Sequence, residues 1–339
     1  MSEPERCIIL SSGRCGSTLL SDLIASDAET LSVQESLGSL MSAPWGLGEE
    51  ISGSQYWDLM SVALPQWKAA VRIGAIPAEF RYPERGRWAG ELSRLPDVCQ
   101  ITLPAMFDDP DSWFDLLAGR VPQFPVQTLG RHHQMLLDLL ASLQGRRRWV
   151  ERSGGSSGMA DSLLQEFPVA KVVYLTRNAA DTALSMSRHP TYRFSVIRME
   201  LLKYCGFDPY NEHFASCPRA GDKRIPDELR CLLPEQVSLQ VLADRGGNVE
   251  QHKMLYAFLM YIAERALAEH PPRHLLRMRF EDLVAEPAEQ LTRLGDFLGF
   301  ADPAGWAARA ADQVSRPQRT ALPARAVARG DQPGGERAR

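Results

Sequence analysis

The chain has 339 residues, 44% hydrophobic and 24% charged, which is enough apolar material for a substantial core and excludes a chain disordered throughout. A formal net charge of −4 argues against nucleic acid as a partner, because backbone-phosphate binding needs a concentrated basic surface, and it requires any anion site to be local. No apolar run approaches the roughly 20 residues that span a bilayer, and MSEPERCIIL lacks the basic-then-apolar order of a secretory leader, so the reading is cytoplasmic with no membrane partner.

RCIILS at 6–11 is a short isoleucine-rich strand, followed by the loop Ser12-Gly13-Arg14-Cys15-Gly16 and by STLLSDLIAS, whose Leu19, Leu20, Leu23 and Ile24 have helical spacing. TLSVQ at 30–34 is a second strand. The stretch 36–147 that follows is rich in Trp, Pro and Gly, with helices expected near 55–73, 111–120 and 127–144. Alternation then resumes: RWVER (148–152) reads as a strand, 158–167 as a helix, VAKVVYLTR (169–177) as a buried strand and 179–188 as a helix stopped by Pro190. The segment 191–247, with four prolines, reads as irregular and helical by turns. Asn248 can cap a long amphipathic helix ending before Pro271-Pro272, HLLRMRF is a further strand, and 287–299 a further helix.

Strands alternating with helices imply an α/β three-layer sandwich with a central parallel sheet, and ligands of such sheets bind beyond the carboxyl ends of the strands. The expected organisation is one domain over 1–320, with helical insertions at about 36–147 and 191–247, and a disordered arginine-, proline- and glycine-rich tail at 321–339.

The first loop sits where a strand feeds a helix. The backbone N–H groups of Gly16, Ser17 and Thr18 can therefore face an anion with the helix dipole behind them, while Gly13 and Gly16 allow the tight turn. The spacing is one residue short of a Walker A loop and has no Lys before the hydroxyl pair, which disfavours an ordinary kinase or ATPase loop. A second anion feature is Arg177 at the end of the buried strand, with Ser185 two helical turns into the next helix. A strand-end arginine can grip a phosphate with a charge-assisted fork, although Asp181 is also within reach as a structural partner.

Arg14-Cys15-Gly16-Ser17-Thr18 resembles the 5′-phosphosulfate loop of the PAPS-dependent sulfotransferase superfamily (PAPS is 3′-phosphoadenosine-5′-phosphosulfate). Arg177 and Ser185 resemble that family's 3′-phosphate site, and RMRFEDLVAEPAEQLTRLGDFLGF at 277–300 the strand and helix that close its fold, with Glu281 and Asp282 as a capping pair. The resemblance implies a P-loop-like fold, PAPS as co-substrate and no metal, with transfer to a hydroxyl, or less readily an amine, of a small-molecule, carbohydrate or natural-product acceptor. The tyrosylprotein branch and bacterial relatives place a glutamate as base where Glu35 lies. The cytosolic branch uses a histidine, which keeps His132 and His133 open as bases, while His189 reads as a helix terminus. Arg152 stands where relatives often carry a lysine near the sulfuryl group. Arg14 faces the phosphosulfate, and Ser315 and Arg316 are placed to fold over the 3′-phosphate.

The seven histidines form no paired ligand set, so no metal is expected. The six cysteines lack a paired spacing and read as reduced thiols, a Cys217–Cys231 disulfide being disfavoured in a reducing compartment. Trp45, Trp57, Trp67 and Trp88 offer either an aromatic platform for an acceptor or core packing. Two other readings remain. A nucleotide-dependent phosphotransferase would need a Walker lysine and a strand-end acid, and a non-catalytic nucleotide-binding protein would bind without turnover.

Overall fold

The computed structural model describes residues 3–211 and 225–314; the tail at 321–339 and Cys217 lie outside them. Five strands form one sheet: β1 (Glu5–Ser11), β2 (Thr30–Gln34), β3 (Arg148–Arg152), β4 (Lys171–Thr176) and β5 (Leu275–Arg279). Their order is β2-β3-β1-β4-β5 and every pairing is parallel. β1 is central, with β3 on one side and β4 on the other, and the chain leaves β1 toward β2 but leaves the adjacent β3 toward β4, so the two connections run in opposite directions across the sheet. A crevice for ligands opens at such a reversal.

Why β1 reads as an unbroken apolar run is visible in its two faces. Ile8 and Leu10 enter one core with Val33, Val172 and Tyr174, while Cys7 and Ile9 enter a second with Val173 and Leu175. A strand covered on both sides has no polar alternation to show. The second core is completed by α1 (Ser17–Ile24) and two C-terminal helices through Leu23, Leu291, Leu298 and Trp306. The first is completed by the stretch between β2 and β3, including α2 (Leu129–Leu143), whose Leu136, Leu137 and Leu140 lie under the sheet. The result is the three-layer α/β sandwich with a central parallel sheet.

Two element boundaries differ from the sequence reading, and proline explains both. The helix expected over 55–73 is two, Gly53–Ser61 and Pro65–Ile73, because Pro65 cannot sit inside a helix and instead occupies the first turn of the second. Pro190 stops α3 (Ala179–Arg188) but also starts α4 (Pro190–Cys205), a 16-residue helix within the segment expected to be irregular and helical by turns. Its buried Ile197, Leu201 and Cys205 form a satellite core with Leu229 and Leu232. Asn248 caps α5 (Val249–Leu267) as expected, its side chain accepting from the N–H of Glu250 at 2.9 Å. Glu281 caps differently from the expectation: it accepts from the Asn178 N–H at 2.7 Å, at the start of α3 rather than of its own helix.

No helix among the described residues is long and apolar enough to cross a membrane. Cys7, Cys15, Cys99 and Cys205 are buried free thiols and Cys231 an exposed one.

Candidate active site

The exits of β1, β2 and β3 converge on a cavity of about 330 Å³ whose lining includes Gly13, Arg14, Ser17, Thr18, Glu35 and Arg152. Two of these residues have an unusual backbone. Among the described residues, Arg14 (φ 57°) and Glu35 (φ 56°) are the non-glycine positions in the left-handed region. That conformation costs an L-residue roughly 1–2 kcal/mol and persists only where the surroundings over-determine it.

At the first loop, Gly13 and Gly16 also have positive φ, 72° and 88°, and both have a second reason to be glycine. A Cβ on Gly13 would fall 1.5 Å from the Tyr192 hydroxyl, and one on Gly16 would fall 2.2 Å from the ring of Phe280. Gly16 is the residue before α1, so the N–H groups of Gly16, Ser17 and Thr18 stand at a helix start, as an anion loop requires. Cys15 offers backbone only: its side chain is fully buried in the core under α1, and that burial pushes its thiol up.

Arg14 reaches across this loop. Its Nε donates to Ser185 Oγ at 3.3 Å, and its other arm pairs with Glu79. Arg177 lies alongside, its guanidinium 4.9 Å from the Phe280 ring centre and donating to the Arg14 carbonyl at 3.3 Å. The sequence-predicted 3′-phosphate pair and the 5′ loop are therefore contiguous. Arg177 stacks on an aromatic ring, and Asp181, its alternative partner in the sequence, is exposed one turn along α3.

Glu35 follows β2. Its N–H continues the sheet to the Arg152 carbonyl at 2.8 Å, after which the left-handed turn aims its carboxylate back at β3. There it pairs with Arg152 and accepts the Gly154 N–H at 3.0 Å. Arg152 is 2% exposed and donates also to the Gln34 side chain at 2.8 Å. Glu35 keeps 28% of its side chain accessible, on the cavity side.

His132 and His133 do not share this cavity. His132 Nε2 donates to the Ile51 carbonyl at 2.8 Å, and His133 is enclosed by Tyr56 and Ser36. Burial pushes the His133 imidazole down to about 3 and lowers that of His132. Both side chains are fully buried away from the cavity that Glu35 lines. Ser315 and Arg316 lie outside the described residues.

Several cavity residues carried no sequence signal. Glu79 sits in an irregular segment, yet its carboxylate pairs with Arg14 and lies 2.9 Å from His189 Nε2. Burial pushes that carboxyl up, but the hydrogen bond and charge of His189 with the charge of Arg14 outweigh it and hold the group at about 2. His189 is the helix terminus expected, and also a cavity wall. Asp97, which accepts from Ser39 Oγ at 2.6 Å, is pushed up to about 6 by burial and by the charge of Glu35. The remaining wall is mostly apolar, including Met41, Leu64, Ile101, Phe194 and Leu255. Of the four tryptophans singled out in the sequence, Trp67 alone lines the cavity; Trp57 is buried in the core and Trp45 and Trp88 pack on it. Among the described residues, no cluster of three or more His, Cys, Asp or Glu side chains could hold a metal ion.

Residues 159–305 match the sulfotransferase domain family, a span that contains Arg177, Ser185 and β5. The match spans less than half of the chain and leaves the glycine loop and Glu35 outside it. Among solved structures it is similar to the sulfotransferase domain from the curacin biosynthetic pathway, at 17% identity and TM-score 0.44 over 88% of this chain and 75% of that one. It is similar also to a sulfotransferase from Mycobacterium avium (14%, TM-score 0.44, 93% and 68%) and to one from Alicyclobacillus acidocaldarius (14%, TM-score 0.34, 89% and 83%). No curated protein sequence matches the chain.

Proposed function

We propose that the chain transfers the sulfuryl group of PAPS to a hydroxyl, less readily an amine, of a small-molecule, carbohydrate or natural-product acceptor seated in the cavity. The observation that carries this reading is that Arg14 and Glu35, the two strained non-glycine residues, face one cavity across Arg152. The domain that does so is taken as 1–320, with 36–147 and 191–247 as insertions, acting in the cytoplasm, where the thiols stay reduced.

In this mechanism the loop N–H groups and Arg14 hold the phosphosulfate, and Arg177 with Ser185 hold the 3′-phosphate. An incoming anion must draw Arg14 away from Glu79, which a doubly charged phosphosulfate can do by offering two acceptor oxygens to the guanidinium fork. The acceptor hydroxyl gives its proton to Glu35 as its oxygen attacks sulfur in line. The sulfur–oxygen bond to the phosphate breaks, and adenosine 3′,5′-bisphosphate leaves with the electron pair. Arg152, fixed against Glu35 and Gln34, offsets charge on the sulfuryl oxygens.

Glu35→Gln keeps the shape of the side chain but cannot take the proton. We expect kcat on an unactivated alcohol to fall roughly 10²–10⁴-fold, with bisphosphate affinity unchanged. A nitrophenol acceptor, already partly ionised, should suffer less. Near-normal turnover of Glu35→Gln on the alcohol would remove Glu35 as the base.

A further inference from the structure

Behind the cavity a file of polar side chains runs through the apolar core. The Tyr56 hydroxyl is 2.9 Å from His133 Nδ1, and His133 Nε2 is 3.1 Å from Ser36 Oγ. Ser36 Oγ donates to Glu151 Oε1 at 3.0 Å and Ser153 Oγ donates to the same oxygen at 2.6 Å. The Leu37 N–H in turn donates to Ser153 Oγ at 3.0 Å. Tyr56, Ser36, His133, Glu151 and Ser153 are each 2% exposed or less.

Counting hydrogens fixes the direction of the file. Ser36 has one hydroxyl hydrogen and spends it on Glu151, so its oxygen must accept from His133 and the imidazole proton sits on Nε2. His133 Nδ1 is then an acceptor, and Tyr56 donates to it. Every donor points toward Glu151, and no two compete. An apolar filling of the same space would avoid the cost of desolvating these groups. What an apolar filling cannot do is fix orientation, and the file ends where orientation matters. Ser36 is the residue after Glu35, Glu151 and Ser153 flank Arg152, and Gly154 next along donates to Glu35. The two strand exits that carry the proposed base and cation are thus fastened to one carboxyl group.

We propose that Glu151, gathered by Ser36 and Ser153 and braced by His133 and Tyr56, is a positioning residue that holds Glu35 and Arg152 toward the reacting atoms. This rests on the roles given to those two residues above. Glu151 touches no substrate. Its second oxygen has no partner among the described residues, and burial, reinforced by the charge of Glu35 and opposed by Ser153, Ser36 and Arg152, pushes the carboxyl up to about 7. A neutral amide can therefore do the same work, while a methyl group cannot.

The test compares Glu151→Ala and Glu151→Gln with two readouts: turnover of PAPS on an alcohol acceptor, and the ¹³C resonance of the Glu35 side-chain carboxyl. The proposal expects Glu151→Ala to lower kcat roughly 10²-fold, the loss typical of a misplacement of about 1 Å, with unchanged bisphosphate affinity and a moved Glu35 resonance. Glu151→Gln should restore most of the turnover and the wild-type resonance. If the alanine variant does not fold, Ser36→Ala and Ser153→Ala each remove one donor and should move the Glu35 resonance in the same direction. A Glu35 resonance that stays in place in these variants overturns the brace. A resonance that moves while turnover holds supports the brace and instead sinks the assignment of Glu35 as base.

Discussion

Gly16→Ala separates the two reasons for glycine in the anion loop. At φ 88° any L-residue costs roughly 1–2 kcal/mol. The new methyl would also lie 2.2 and 2.4 Å from two carbons of the Phe280 ring, against an ordinary carbon contact of about 3.5–4.0 Å, so the ring must retreat by more than about 1 Å. Overpacking of this kind costs typically 1–3 kcal/mol, for a combined loss of about 2–5 kcal/mol. Gly145, in the turn after α2, supplies the control: its φ is 63° and a Cβ there would meet nothing within 4 Å. Gly145→Ala should therefore lose only the backbone cost. Phe280 is also the ring on which Arg177 stacks, so its retreat should weaken binding of adenosine 3′,5′-bisphosphate in Gly16→Ala and leave it untouched in Gly145→Ala. Urea unfolding of both variants, with calorimetry of the bisphosphate, decides the matter. Equal destabilisation by the two substitutions, or full bisphosphate affinity in Gly16→Ala, would refute the reasoning.

Wild-type protein should prefer adenosine 3′,5′-bisphosphate over AMP, and Arg177→Ala should erase that preference, since charge-assisted hydrogen bonds to the extra phosphate contribute about 1.5–3 kcal/mol each; equal wild-type affinities by calorimetry would sink the 3′-phosphate assignment. Turnover is expected to survive EDTA, because Arg14, Arg152 and the loop amides supply the positive charge that magnesium supplies in phosphoryl transfer; an activity abolished by EDTA and restored by magnesium would revive the phosphotransferase reading. Glu151 makes the fold sensitive to pH: with its carboxyl raised from 4.5 to about 7, its contribution is fully present below pH 4.5 and is lost as pH rises through 7, by about 3 kcal/mol. Glu151→Gln, which cannot ionise, should match wild type at pH 4.5 and exceed it in stability at pH 8, and denaturation curves that differ equally at both pH values would contradict this.

The sheet was legible because its strands are buried on both faces: runs such as CIIL and KVVYL have one physical explanation, and the glycine-bounded loop after the first fixed the switch point. Glu35 was placed at the sheet edge because it follows a strand, whereas the pairing of β2 with β3, which brings it beside Arg152, leaves no signal in the sequence. Glu79 was not legible. It reaches Arg14 from a segment without periodicity, where spatial neighbours leave no trace in spacing. His133 was placed on a helix of the inserted region, but whether a helical side chain faces core or cavity depends on the partner layer, here Tyr56 and Ser36. The dual role of Pro190 was hidden because a stop and a start have the same signature.

The insertion between β2 and β3 supplies most of one outer layer of the sandwich, which Leu163, Phe167 and the α5 residues Ala263 and Leu267 complete, and, through Met41, Leu64, Trp67 and Ile101, much of the cavity wall as well. Structural support and the lining of the cavity therefore rest on the same residues. A graft that swaps this stretch for another to change acceptor range exchanges a third of the architecture at once, and point changes at Trp67 reshape the pocket by thinning the layer under the sheet.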